Sequence, residues 1–325
     1  MKKIHKELML SILVITYNHE KYIRQAMDGI LMQKVDFEYE IIIGEDCSTD
    51  NTRGILLEYK EKYPDKIKLI LHEQNIGMHN NINSVIRECF FGGKYIAVCE
   101  GDDYWVDPYK LKKQVDFLQK NNEYIGTAHK IKIVDQYGNL NNSIEIDSYC
   151  KDEIYTLEHV ERNILPGQTA TLVYRNILAK NPLDMKAFEE CKSVGDRKTA
   201  LYLAINGNIY CFNEVMSHYR KITDHGDSWS ARNDHKNLNF FRFNQCKELS
   251  LFAYELKKIK MDYTEVYLKC GAEAFRIFIK KPSSENFKIL SAIYTNYDNK
   301  KAMILHILKL CIKWLLKKIQ VYFQS

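Results

Sequence analysis

Apolar positions in the first hundred residues follow two rhythms. Residues 10–16, 39–44 and 95–99 are nearly continuous β-rich runs, and residues 67–71 form a fourth. Between them the spacing lengthens to that of a helix. Tyr22, Ile23, Ala26 and Ile30 share one side of residues 19–33. Ile55, Leu56 and Tyr59 mark residues 51–63, which stop before Pro64, and residues 78–91 follow the same rule. The order is β-α-β-α-β-α-β. Strands that are apolar on both faces belong in a parallel sheet covered by helices.

After Pro108 the pattern changes. It predicts a helix over 111–119, a strand over 125–134, a turn at 135–138 and a strand over 169–174. A helix over 196–205 and two short strands at 209–212 and 215–219 follow. From about residue 235 the chain reads as helix, broken at Lys281-Pro282-Ser283-Ser284. We expect an α/β sheet domain over 1–230 and a helical C-terminal region over 231–325.

Composition narrows the classes. At 46% hydrophobic and 27% charged residues, the 325-residue chain is not disordered. A net charge of +5, with no dense basic block before the C-terminal tail, gives no reason to expect a nucleic-acid partner. Nine cysteines, an odd number with no CxxC pair, argue against a disulfide framework or zinc site and for a reducing cytoplasm. The basic, then apolar N-terminus imitates a signal peptide. It has no small-residue cleavage site and runs into Tyr17-Asn18-His19, so it reads as a buried first strand.

In open α/β sheets ligands bind beyond the carboxyl ends of the strands. Those ends are polar here: Thr16-Tyr17-Asn18, then Glu45-Asp46-Cys47-Ser48-Thr49-Asp50, then Glu100-Gly101-Asp102-Asp103. No GxGxxG or GxxxxGK[ST] accompanies them, so a dinucleotide or P-loop site is unsupported. Three carboxylates within four residues repel one another unless a cation joins them, and hard oxygens suit Mg²⁺ or Mn²⁺. A solvated acidic turn is the alternative. Ser48 or Asp50 can cap the following helix, whereas Glu45 and Asp46 are not needed for capping.

The order SILVITYN, EDCSTDNT, NIGMHNNIN, EGDDYW over roughly residues 8–230 resembles a family 2 glycosyltransferase with a GT-A fold. Departures are Glu45 and Glu100 for Asp, Cys47 for Gly and Asn81 for Ala. The resemblance implies that Thr16, Tyr17 and Asn18 line the nucleotide and that Tyr17 packs on the base. It implies that Asp46, beside Glu45, accepts from a uracil ring, and that Asn75 and Gly77 lie in the loop approaching the nucleotide. Asp102 and Asp103 would hold Mn²⁺ or Mg²⁺ against the donor diphosphate, with Glu100 behind them. Gly195-Asp196 ahead of an apolar helix resembles the segment that carries the general base. Asp196 is also a suitable N-cap. In Tyr219-Arg220-Lys221 through His225, Arg220 would contact the diphosphate and His225 phosphate or metal, unless these are ordinary surface charges. Trp105 suits either a sugar pocket or the core.

The expected activity is inverting, metal-dependent transfer of a sugar from a nucleotide donor, UDP-linked, to a hydroxyl of a glycan or lipid-linked acceptor. The setting the resemblance implies is bacterial surface polysaccharide synthesis. A sugar-nucleotide nucleotidyltransferase would show a glycine-rich basic loop, and residues 15–25 have no glycine. A non-catalytic scaffold that kept the fold is the other alternative. In the tail, His306, Lys309, Lys313, Lys317 and Gln320 make one polar stripe of a helix over 301–323, beside many apolar residues and Trp314. That pattern fits a cytoplasmic protein in peripheral membrane contact, or a helix packed on protein.

Overall fold

The computed structural model describes residues 7–141, 152–222, 238–297, 299–309 and 312. The first four strands form the expected parallel core. β1 (Leu8–Thr16) lies between β2 (Glu38–Glu45) and β4 (Tyr95–Glu100), and β3 (Ile67–Leu71) lies outside β2. Helices α1 (Ile23–Leu31), α2 (Thr52–Lys62) and α3 (Met78–Glu88) connect them. Leu10, Ile12, Val14, Ile41, Ile43 and Ala97 bury one face of this sheet in a common core. Leu13, Ile42, Ile96 and Val98 are buried on the opposite face, and burial on both faces is why the runs read as unbroken apolar stretches.

Beyond β4 the sheet becomes mixed. It continues through β8 (Val173–Arg175), β6 (Tyr124–Val134) and β9 (Asn208–Arg220) to the two-residue β5 (Tyr104–Trp105), and β7 (Glu153–Tyr155) pairs with β9. Helices α4 (Lys110–Lys120), α5 (Leu157–Glu161), α6 (Pro182–Glu190) and α7 (Gly195–Asn206) complete this part. Two expectations are corrected. The strands expected at 209–212 and 215–219 are one, because β9 follows β6 through register shifts around His129–Ile131 that absorb the polar Asn213-Glu214. The strand expected over 169–174 starts only at Val173; Thr169–Thr171 is a 3₁₀ turn. The helix α6, which hydrophobic spacing did not reveal, is marked by its cap: Asn181 Oδ1 accepts from Leu183 N and Asp184 N, with Pro182 in the first turn.

Trp105 belongs to the core. It is 1% exposed, its indole N–H donates to the Ala170 carbonyl at 2.9 Å, and Gly29 lets α1 close on its backbone. The Lys110 ammonium stands 4.1 Å over the Trp105 ring.

The chain divides into two compact units: Met1–Val160 with Ile164–Asp234, and Glu161–Asn163 with His235–Ser325. The second contains α8 (Leu238–Lys257), α9 (Thr264–Lys280), α10 (Ser284–Asn296) and helical residues 300–309. The break at Pro282 is a helix start: Ser283 Oγ accepts from Asn286 N. Among the described residues no helix is long and apolar enough to cross a membrane. Residues 310–311 and 313–323 of the expected tail helix lie outside the described residues.

Lys110 generates a pH prediction. Its Nζ is fully buried without a hydrogen-bond partner, and burial lowers its pKa to about 7. Between about 10.5 and 7 the unfolded chain therefore binds a proton that the folded one refuses, and stability falls as pH falls through that window. Lys110→Met should remove this slope. Urea unfolding at pH 7 and pH 10 should show a larger gain over wild type at pH 7.

Candidate active site

Sheet register sets three polar strand ends side by side. Thr16 stands opposite Glu45, and Ile15 opposite Glu100. The loops leaving β1 and β2 are then sewn together. Asn18, at φ 55°, takes Thr49 N and Thr49 Oγ1 on its side-chain oxygen and donates its backbone N–H to Ser48 Oγ. Its amide oxygen is thus engaged by the neighbouring loop, while Tyr17 next to it is half-buried.

Glu45 differs from expectation: it does serve the turn. Fully buried, it accepts from Ser48 N at 2.6 Å and forms an ion pair with Arg53. Cys47 adopts φ 57°, the left-handed region that explains the glycine usual here. Asp46 is 2% exposed and accepts from Ile76 N (2.7 Å) and Gly77 N (3.0 Å), one on each oxygen. It therefore anchors the loop of Asn75 and Gly77, with Gly77 at φ 83° and Asn75 exposed. An open cleft of about 580 Å³, lined by Leu71, His72, Glu73, Gln74 and Ile76, flanks this loop.

The acidic loop after β4 turns tightly. Gly101 N donates to Ile15 O, and a Cβ at Gly101 would strike Thr16 Oγ1 and His19 Nδ1 at 2.7 and 2.8 Å. That closeness brings in a residue the motifs did not single out. His19 is within hydrogen-bond reach of Thr16 Oγ1 at 3.2 Å, and its Nε2 lies 4.0 Å from Asp102 Oδ2. The available signal was its place directly after Thr-Tyr-Asn.

The acids of this loop separate into different environments. The Asp102 side chain is 24% exposed. Asp103 is buried, with Oδ1 accepting from Arg220 N at 2.8 Å and Oδ2 without a partner. Burial, reinforced by Asp102 and Glu100, pushes the Asp103 carboxyl well above its usual range. Glu100 is pushed up to about 8 by burial, then by Asp102 and Asp196, against a hydrogen bond from Thr169. Asp196, in the first turn of α7, contributes to that upward push. The N-cap position of α7 is Val194, but Asp196 still serves the helix start: its Oδ1 accepts from Arg197 N at 2.7 Å inside the first turn. Burial raises the Asp196 carboxyl, partly offset by Arg197.

Arg220, expected at the diphosphate, is engaged here as a clamp. It is 4% exposed. Its Nε donates to Asp102 O, Nη1 to Asp135 O and Gln136 O, and Nη2 to Gln25 Oε1. The guanidinium lies 4.6 Å from the Tyr22 ring centroid and 5.4 Å from that of Tyr104. His225 lies outside the described residues.

Among the described residues no group of three His, Cys, Asp or Glu side chains could hold a metal ion. A Mg²⁺ or Mn²⁺ ion commonly takes one or two carboxylates and completes its shell with phosphate and water. Asp102 fits that need, since its carboxylate reaches solvent at the end of β4. Asp103, the other expected ligand, is buried, with Oδ1 on Arg220 N and Oδ2 without a partner.

A sheet parallel over β1–β4, mixed beyond it, with acids at the strand ends and helices following, defines an α/β GT-A fold. The profile of Glycosyl transferase family 2 matches residues 11–176, and the chain belongs to that family. An uncharacterized protein of Mycobacterium tuberculosis is 34% identical over 227 residues, 70% of this chain and 62% of that protein. The chain therefore spans less than two thirds of that relative's length. The putative teichuronic acid biosynthesis glycosyltransferase TuaG of Bacillus subtilis is 24% identical over 250 residues, covering 73% of this chain and 92% of its own. Among solved structures, S. aureus TarS 1-349 in complex with UDP-GlcNAc superposes with a TM-score of 0.62 at 21% identity, over 90% of this chain and 81% of that one.

The clamp makes a prediction without any ligand. Arg220→Lys keeps the charge but loses the planar fork. Urea unfolding of the nucleotide-free protein should show a loss of about 2 kcal/mol or more, the scale for removing hydrogen bonds of a buried charged group. Unchanged stability would return Arg220 to a purely ligand-binding role.

Proposed function

We propose that the chain is an inverting, metal-dependent glycosyltransferase. It moves a sugar from a nucleotide donor, UDP-linked, to a hydroxyl of a glycan or lipid-linked acceptor in cytoplasmic steps of bacterial surface polysaccharide synthesis. One observation carries this reading: sheet register sets the polar ends of β1, β2 and β4 side by side, with Thr16 opposite Glu45 and Ile15 opposite Glu100, and Asp46 ties the neighbouring loop through Ile76 N and Gly77 N. Membership of family 2 supports it, as do the likeness to the putative teichuronic acid glycosyltransferase TuaG and the UDP-GlcNAc complex of TarS.

In this reading the loop tied by Asp46, with Tyr17, receives the uracil nucleotide, and Asp102 holds the Mn²⁺ or Mg²⁺. When bound, the ion would supply positive charge that stabilises a departing diphosphate. The acceptor hydroxyl oxygen bonds to the anomeric carbon, the bond from that carbon to the phosphate oxygen breaks, and the hydroxyl proton passes to the Asp196 carboxylate. A single base facing the acceptor, with no carboxylate nucleophile, inverts the anomeric centre. Burial keeps Asp196 a stronger base than an exposed aspartate.

Asp196→Asn keeps the side-chain size and removes the basic oxygen. Transfer should fall at least about a hundredfold while UDP affinity stays within a fewfold. Transfer near wild-type rate would assign the proton to another group. The base must be ionised to work, and its pKa is raised. The acidic limb of the kcat/KM profile should therefore fall above pH 3.8, the ordinary value for an aspartate.

A further inference from the structure

The second compact unit has a charge and a surface that sugar transfer does not use. Residues 235–325 carry 17 Lys and Arg against 7 Asp and Glu, a net +10. Residues 1–234 carry 30 against 35, a net −5. The mild excess of the whole chain thus conceals a strongly basic C-terminal unit.

Its last described helix, residues 300–309, has three faces. One is seated: Met303 is fully buried, and its thioether occupies the space beside Gly271 of α9, where a Cβ would meet Sδ at 2.5 Å. A second carries the lysine and histidine stripe that begins at His306 and Lys309. On the third, Ile304, Leu305 and Leu308 are exposed, as is Ile312 one turn on. At about 100° per residue these four fall within roughly one 100° sector. Exposed Lys301 falls in the same sector, and exposed Lys309 lies about 40° beyond its border. Packing on protein accounts for Met303 and leaves this apolar strip bare.

We propose that this strip of Ile304, Leu305, Leu308 and Ile312 docks the protein on an anionic lipid bilayer. The apolar residues enter the acyl boundary and the lysines meet headgroup phosphates, as interfacial helices with basic borders do. Charge decides between occupants: a unit of net +10 is repelled by a second copy of itself and attracted by an acidic membrane.

Flotation of the full chain with phosphatidylcholine vesicles, with and without phosphatidylglycerol, tests this directly. Binding should require phosphatidylglycerol and weaken as salt rises. The double variant Leu305→Asp, Leu308→Asp should lower the bound fraction about tenfold or more at an unchanged melting temperature, because both side chains are already exposed. Absence of flotation at low salt, or equal flotation of the double variant, would overturn the proposal. So would a concentration-dependent dimer lost in the double variant without lipid binding, which would give the strip to a second copy. Flotation reads no turnover, so its outcome is separate from that of the transferase reading.

Discussion

Carboxylate repulsion at the end of β4 is the constraint around which the site is arranged. Glu100, Asp102 and Asp103 stand in a single turn, and Asp196 approaches from α7. Charges that close in a partly buried place cannot all stay ionised without compensation. The protein answers in two ways. It holds Asp103 and Glu100 in surroundings that favour their neutral forms. It also brings Arg220 against the loop, with its backbone N–H on Asp103, its guanidinium on the Asp102 carbonyl, and Tyr22 and Tyr104 beside it. Because that guanidinium also reaches Asp135, Gln136 and Gln25, one cation fixes the ends of β4, β6, β9 and helix α1 relative to each other.

This arrangement leaves a division of labour among the acids. Asp103 holds the loop, Asp102 faces solvent, and Asp196 lies in the first turn of α7 with a raised pKa. Asp46 does a comparable job on the other side of β1 by pinning the loop of Asn75 and Gly77. The carboxylates of Asp46, Asp103 and Asp196 are spent partly on backbone N–H groups, which positions the loops before any ligand arrives. In catalysis such preorganisation matters because no energy is then lost to reorienting groups during reaction.

The parallel core and its polar strand ends were legible in the sequence because both are local patterns. An apolar run and the acids that follow it lie on one stretch of chain. What the sequence concealed depends on contacts between distant stretches. Arg220 reads as a surface charge after a strand, and its partner Gln25 lies 195 residues away. Glu45 reads as a free acid until Arg53 folds back on it. Asp103 and Asp102 are indistinguishable as neighbours in sequence, and only the crossing of β9 decides which is buried. His19 becomes part of the site only because Gly101 has no side chain in its way. The break imagined within β9 was a polar pair, Asn213-Glu214, inside a strand whose register shifts accommodate it.

The central claim is that Asp102 is the carboxylate through which a divalent ion couples this chain to a nucleoside diphosphate. Calorimetric titration of UDP into the wild-type protein and into Asp102→Asn, each with and without Mn²⁺, measures that coupling. The account predicts that Mn²⁺ tightens UDP binding at least about tenfold in the wild type and has no effect in Asp102→Asn, a coupling of about 1.4 kcal/mol or more. The same Mn²⁺ enhancement in both proteins, or none in the wild type, would contradict it.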